Sequence, residues 1–215
     1  MQSAAPNQPP SRRTLRSALA VAWILSGLAA VAFTLWMADY RYAQPTPQPS
    51  GWRDVPLGAS VTLPESLFKG MDGPLLVHSL NPDCPCSRFV LPRASALAER
   101  CSVGVTSVVL VLDPSAEDLG GFEGVVRVPD PTGAIAAACG LYSTPAAALL
   151  DGDRRLLFAG NYTTTRYCSD SREQPLERVL RVLREEGADA TLALGPLLSR
   201  PPFGCPLPVQ GVALP

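Results

Sequence analysis

Residues 81–89 read NPDCPCSRF and directly follow a short apolar run, Leu75–Leu80. The apolar run predicts a buried strand. Proline is favoured at the first helical position, so Pro85 predicts that a helix begins there, with Cys84 as its N-cap residue. A thiol at a helix start lies near unpaired backbone N–H groups and the positive end of the helix dipole, and both favour the thiolate. Cys84 is therefore expected to be exposed and to be the most reactive thiol, with a pKa below the free value of about 8.5.

This succession of strand, cysteine motif and helix resembles the thioredoxin superfamily, whose members carry C-x-x-C at this point. Cys84-Pro85-Cys86-Ser87 aligns with that motif, and Pro92 lies five residues after Ser87, as in the family. The resemblance implies that Cys84 is the nucleophile. It also shows a departure, because Ser87 stands where the family has its second cysteine, so the family's dithiol chemistry through these two positions is not expected.

A second stretch extends the resemblance. Residues 139–145, CGLYSTP, are similar to the loop in which the family carries a cis-proline. The resemblance implies that Pro145 follows a cis peptide bond, and that Thr144 and Pro145 offer backbone to a substrate strand. The run VPDPTG at residues 128–133 is most similar to the membrane-anchored, TlpA- or ResA-like branch and to peroxiredoxins.

Two cysteines are candidates for resolving a mixed disulfide on Cys84. Cys86 is two residues away, and residues two apart on a helix do not share a face, so a bond between them requires a distorted first turn. Cys168 lies in a long loop, residues 160–169, that we expect to return to the same end of the sheet. Arg166 in that loop is a candidate for holding a thiolate or an acidic substrate group.

Short apolar runs and helical stretches alternate along the middle of the chain. Strands are predicted at Leu75–Leu80, Val105–Leu112, Val125–Val128, Ala146–Leu150 and Arg154–Ala159. Helices are predicted at Pro85–Arg100, Pro131–Cys139 and Pro175–Glu186. Alternating strands and helices indicate an α/β fold, and the turn signal at residues 151–153 adds an antiparallel hairpin. The predicted fold is therefore thioredoxin-like, with a central mixed sheet flanked by helices.

The amino end predicts a membrane anchor. Residues 1–16 end in three arginines, and residues 17–38 carry no charge and are long enough to cross a bilayer. Arginines stay on the cytoplasmic side. We therefore expect a cytoplasmic tail at 1–16 and a single-pass helix in the bacterial inner membrane, with the remaining chain in the periplasm. A cleaved signal peptide is the alternative, although its apolar core is usually shorter.

The remaining chain divides by composition. Residues 39–56 are predicted to be a Pro-rich linker, residues 57–187 the thioredoxin-like domain, and residues 188–215 a Pro-rich extension lying on that domain. The net charge of −1 offers no basic excess for binding nucleic acid, so nucleic acid is excluded as the main partner. No cofactor is expected, and the sequence leaves the oligomeric state open.

The sequence is compatible with three functions. The first is an envelope thiol–disulfide oxidoreductase acting on a protein thiol or disulfide partner. The second is a metal-binding module, in which thiolates of the Cys84 and Cys86 pair, with Cys168 or His78, would select copper or zinc. The third is a redox-inactive adaptor domain. Outside these roles, we expect His78 to be a core or surface histidine and Cys101 and Cys139 to pack in the core, while Cys205 is either free or joined to Cys101.

Overall fold

The structure is a computed structural model of the 215-residue chain, and it divides into two compact units, Met1–Arg41 and Tyr42–Pro215. The residues that it describes are 12–41, 44–101, 104–113, 122, 125–164, 173–198 and 201–209.

The first unit is a single long helix. Helix α1 spans Arg12–Leu35 and continues as a π-helical turn, Trp36–Tyr40, with its apolar side chains exposed. At 1.5 Å per residue, 24 residues extend about 36 Å, against about 30 Å for the bilayer core. The helix is therefore long and apolar enough to cross a membrane, and a signal sequence near the N-terminus would have the same properties.

The second unit combines five helices with seven strands among the described residues. The helices are α2 Glu65–Phe68, α3 Pro85–Cys101, α4 Ala134–Ala138, α5 Pro175–Glu186 and α6 Ala188–Leu198. The strands are β1 Leu75–Ser79, β2 Thr106–Val111, β3 Val126–Pro129, β4 Ser143–Thr144, β5 Ala146–Leu150, β6 Leu156–Gly160 and β7 Cys205–Pro206.

Five strands form one mixed sheet in the order β3-β2-β1-β5-β6. Strands β1, β2 and β3 run parallel, whereas β5 is antiparallel to β1 and to β6. Strand β1 is central and buried along its whole length, because helices cover both faces of the sheet. This is the mixed sheet flanked by helices that the sequence predicts. It places the end of β1 and the start of α3 at one edge of the core.

The two faces of the sheet bury separate apolar clusters. Leu75 and Val77 of β1 face the cluster that contains α4, and Leu76 faces the cluster that contains the inner sides of α3 and α5. In α5 the predicted stripe is buried through Leu176, Val179 and Leu180. Alternation along β1 therefore assigns each side chain to one face, as the period of two requires.

The segment predicted to be a non-periodic extension contains regular structure. Residues 188–198 form α6, and β7 pairs with β4 in a second, two-stranded sheet. Part of the predicted linker also packs on the domain, since Thr46 N–H donates to the Pro202 carbonyl and Trp52 meets the Tyr142 ring edge-on. These contacts bring chain from both ends of the unit to the edge where the cysteines lie.

Candidate functional site

Cys84 lies at the junction of β1 and α3. Its N–H donates to the Asn81 carbonyl over 3.0 Å, and its own carbonyl accepts from the Ser87 N–H over 2.9 Å. The Asn81 side chain accepts from the Asp83 N–H over 2.9 Å, which closes a tight turn before the helix. Helix α3 begins at Pro85, so the sequence prediction that Cys84 directly precedes the helix is confirmed.

Thr144 fastens the cis-proline loop to this turn. Its hydroxyl donates to the Ser79 carbonyl and accepts from the Asn81 N–H, each over 3.1 Å. Its carbonyl oxygen lies 3.5 Å from Cys84 Sγ. The Thr144–Pro145 peptide is cis, as the resemblance implies. The loop and the cysteine are therefore held together through the end of the central strand.

Cys84 forms a disulfide with Cys205, and the two Cα atoms are 6.1 Å apart. Strand β7 brings Cys205 there, because it pairs antiparallel with β4 in a register that places Cys205 opposite Thr144. The expectation of an exposed Cys84 is wrong for this state. The side chain is only 1% exposed, since the C-terminal segment lies against the loop and carries the bonded sulfur.

The other cysteines are Cys86 and Cys139, which the structure describes as buried thiols, and Cys101 and Cys168. Cys86 is a buried thiol one residue inside α3, and the bond of Cys84 goes to Cys205 rather than to it. Cys139 is buried, as expected, and burial together with the nearby Asp130 carboxylate raises its thiol pKa to about 12, so it is inert. Cys168, Arg166 and the side chain of Cys101 lie outside the described residues.

His78 is a core residue of β1, as expected. Its Nδ1 lies 2.7 Å from the hydroxyl of Tyr162, the two rings stack at 5.9 Å, and Phe122 meets the imidazole edge-on. Nε2 is buried with no hydrogen-bond partner among the described residues. Burial lowers the pKa of His78 from 6.5 to about 3, so the ring is neutral at physiological pH.

This histidine predicts a specific acid sensitivity. The unfolded chain takes up a proton near pH 6.5 and the folded chain only near pH 3. The free energy of unfolding is therefore full above pH 6.5 and falls as the pH drops towards 3, by up to about 1.4 kcal/mol per pH unit from this group. Denaturant unfolding of the full chain in detergent, compared with His78→Gln, measures the difference, because His78 is the only histidine. Equal pH slopes in both proteins would contradict the assignment.

No metal centre is visible in the part of the chain that the structure describes. No group of three or more His, Cys, Asp or Glu side chains there lies close enough to hold an ion. Of the donors predicted for copper or zinc, Cys84 is in a disulfide and His78 is hydrogen-bonded to Tyr162. The described geometry therefore contributes no support to the metal-binding alternative.

Sequence reasoning missed three residues of this site: Cys205, Gly204 and Asn161. The Asn161 side chain bonds to Phe203 and to the Pro145 carbonyl, and Gly204 lies against Thr144. One signal was available in the run PPFGCPLP at 201–208, where a lone Gly-Cys pair lies within a proline-rich segment. The pairing itself spans 121 residues, and local patterns carry no information at that separation.

Several known proteins are similar to this chain. Residues 57–195 match the family described as "Domain of unknown function (DUF6436)". A hypothetical protein from Sinorhizobium meliloti 1021 has 20% identity and a TM-score of 0.52, over 79% of this chain and 99% of that chain. An uncharacterized conserved protein from Geobacillus kaustophilus has 16% identity and a TM-score of 0.47, over 80% and 94%.

The peroxidoxin BcpB from Mycobacterium tuberculosis has 18% identity and a TM-score of 0.43, over 61% of this chain and 98% of that chain. No curated protein matches the chain. The mixed sheet, the helix start at the cysteine motif and the cis-proline loop make the fold thioredoxin-like, as the sequence predicts. Since its matched residues cover more than half of the sequence, the chain belongs to the family described as a domain of unknown function (DUF6436).

Proposed function

We propose that this protein is a membrane-anchored thiol–disulfide oxidoreductase of the bacterial envelope, with Cys84 as nucleophile and Cys205 as resolving residue. The observation that carries the proposal is the Cys84–Cys205 disulfide beside the cis-proline loop. The helix start favours the Cys84 thiolate once the bond is open, and exchange with a polypeptide cysteine requires the C-terminal segment to leave, because Cys84 is only 1% exposed in the oxidised state. Cys205 therefore takes the resolving role, for which Cys86 and Cys168 are the candidates that the sequence offers.

The reaction balances with these two sulfurs alone. In the reduced chain, the Cys84 thiolate attacks a substrate disulfide, bonds to one substrate sulfur and releases the other as a thiolate. The Cys205 thiolate then attacks Cys84 Sγ, forms the Cys84–Cys205 disulfide and releases the second substrate thiolate. The substrate gains two electrons and the chain loses two. With a dithiol substrate the same steps run in reverse.

Thr144 and Pro145 have a positioning role in this proposal. The Thr144 carbonyl lies 3.5 Å from Cys84 Sγ, and β4 already pairs with a strand that begins with the bonded Cys205. A substrate strand would pair with the same backbone edge. Arg166 remains a candidate for contacting the substrate, on the sequence argument alone.

The proposed compartment follows from the first unit and the disulfide. Helix α1 with its following turn is long enough to cross a membrane, and the arginines at its start favour a cytoplasmic N-terminus. The domain would then lie in the periplasm, where disulfides persist. We place the protein with the TlpA- or ResA-like, membrane-anchored branch on the run at residues 128–133, and its C-P-C-S motif is atypical for that branch.

The assignment of Cys205 predicts a trapped intermediate. Cys205→Ser removes the resolving sulfur, so mixed disulfides on Cys84 should accumulate when the reduced chain meets a disulfide substrate such as insulin. Non-reducing gels and mass spectrometry of the full chain measure the trapped fraction. Cys86→Ser and Cys168→Ser are the matched comparisons, and a larger trapped fraction in either of them would transfer the resolving role to that residue.

A further inference from the structure

Residues 201–209, which we call the tail, are held by backbone hydrogen bonds and by three buried side chains, Phe203, Leu207 and Val209. Leu207 N–H donates to the Tyr142 carbonyl over 2.9 Å. Thr46 donates twice, from its N–H to the Pro202 carbonyl over 2.8 Å and from its hydroxyl to the Gly204 carbonyl over 3.2 Å. The backbone hydrogen bonds hold an extended chain whatever its side chains are, and the buried side chains add apolar contact.

Asn161 clamps one peptide unit of the tail from both sides. Its Oδ1 accepts from the Phe203 N–H over 2.9 Å, and its Nδ2 donates to the Phe203 carbonyl over 2.9 Å. The same Nδ2 donates to the Pro145 carbonyl over 2.6 Å. A single amide therefore joins the cis-proline loop to the residue two positions before Cys205, and all three of these hydrogen bonds go to backbone atoms.

Gly204 is the one tail position where the backbone contact excludes a side chain. Its φ is +122°, in the region that favours glycine. A Cβ built there would overlap the carbonyl oxygen of Thr144 and come within 3.2 Å of Pro145 Cδ. The Thr144 carbonyl is itself fixed by its neighbours in the cis-proline loop, so it cannot give way cheaply.

We propose that the groove formed by Thr46, Tyr142, Thr144 and Asn161, the tail groove, selects extended polypeptides in which glycine directly precedes the reacting cysteine. The tail is the chain's own example of this substrate class and fills the groove in the oxidised state. The proposal rests on the proposed function, because a substrate bonded to Cys84 occupies the groove after the tail has left. Asn161 hydrogen-bonds the backbone of the residue before the glycine. The Thr144 carbonyl excludes any residue with a Cβ at the glycine position.

The first test changes the tail within the full chain in detergent micelles. Gly204→Ala should lower the equilibrium constant for closing the Cys84–Cys205 disulfide by about tenfold or more, because the new methyl group meets a fixed carbonyl. Redox titration against glutathione with mass spectrometry measures it. Gly70→Ala is the matched control, since Gly70 also has a positive φ, +77°, but a Cβ there meets nothing within 4 Å. An unchanged equilibrium constant in Gly204→Ala would overturn the proposal.

The second test measures recognition without any thiol exchange. The full chain carrying Gly204→Ala and Cys205→Ser, in which the added methyl group and the loss of the disulfide are expected to release the tail, is titrated with labelled peptides of sequence 201–209 in which serine replaces the cysteine. Fluorescence anisotropy should show that the glycine peptide binds about tenfold or more tightly than its alanine counterpart. Adding Asn161→Ala to the chain should weaken the glycine peptide by about tenfold, because hydrogen bonds to the peptide backbone are lost.

Each result of the second test is informative. Equal affinity for the two peptides overturns the glycine rule, and an unchanged affinity in Asn161→Ala overturns the clamp. No binding to a chain that circular dichroism shows to be folded overturns the tail groove as a polypeptide site. The peptides contain no sulfur, so these outcomes are separate from the proposed function, which fails only when the reduced wild-type chain does not exchange disulfides.

Discussion

Replacing Cys84 by serine is expected to reduce disulfide exchange to the uncatalysed background. Cys84 Sγ is the sulfur that bonds to Cys205, and it lies at the helix start beside the Thr144 carbonyl. A serine hydroxyl at this position neither ionises at neutral pH nor bonds to sulfur, so the first covalent step is lost altogether. Stopped-flow turnover of a disulfide substrate by the full chain in detergent measures the rate.

Cys139→Ser is the matched control for this experiment. It also replaces a buried thiol by a hydroxyl, but burial and Asp130 raise the pKa of Cys139 to about 12, so its thiolate takes no part at neutral pH. We expect its exchange rate to stay within about threefold of the wild-type rate. Substantial exchange by Cys84→Ser would contradict the nucleophile assignment, and the remaining cysteines would then have to be tested one by one.

Reducing the Cys84–Cys205 disulfide is expected to destabilise the folded chain strongly. The bond joins residues 121 apart in sequence. In the chain-entropy description, a cross-link that closes a loop of this length stabilises the fold by about 4–5 kcal/mol, because it restricts the unfolded chain. Denaturant unfolding of the full chain with and without reductant, read by circular dichroism, measures the change in the free energy of unfolding.

Cys205→Ser supplies the control for the stability experiment, because any change that reductant causes there comes from elsewhere in the chain. A loss below about 1 kcal/mol in the wild type would show that the reduced chain is ordered without the bond. That outcome would leave the exchange chemistry intact. It would mean that the bond restricts the unfolded chain much less than the chain-entropy description requires.

Local sequence patterns predicted most of the fold. Helix α5 has the predicted bounds, Pro175–Glu186, because proline begins it and Gly187 follows its last residue. Strand β5 also has its predicted bounds, and β1 is one residue shorter than predicted. Helix α6 was missed because it has no polar face and contains Gly195 and Pro196, so packing rather than periodicity determines it.

The sequence alone determined where Cys84, the proposed nucleophile, lies. An apolar run, a proline at the first helical position and a preceding cysteine are local features, and local backbone geometry is enough to place Cys84 at the helix start. The cis-proline loop was predicted by resemblance in the same way. For His78 the sequence left a core and a surface position open, and the structure shows that its side chain is buried.

Only the tertiary structure decided which sulfur Cys84 meets. Sequence reasoning compared it with nearby or loop cysteines, and it left Cys205 undecided in a segment without periodicity. Three contacts place Cys205 beside Cys84, which is 121 residues away in sequence. They are the pairing of β7 with β4, the hydrogen bonds of the Asn161 amide and the close approach of Gly204 to Thr144. Contacts between residues so far apart in sequence form only when the core folds, because the contacting residues lie in different parts of the chain. No local sequence pattern links them.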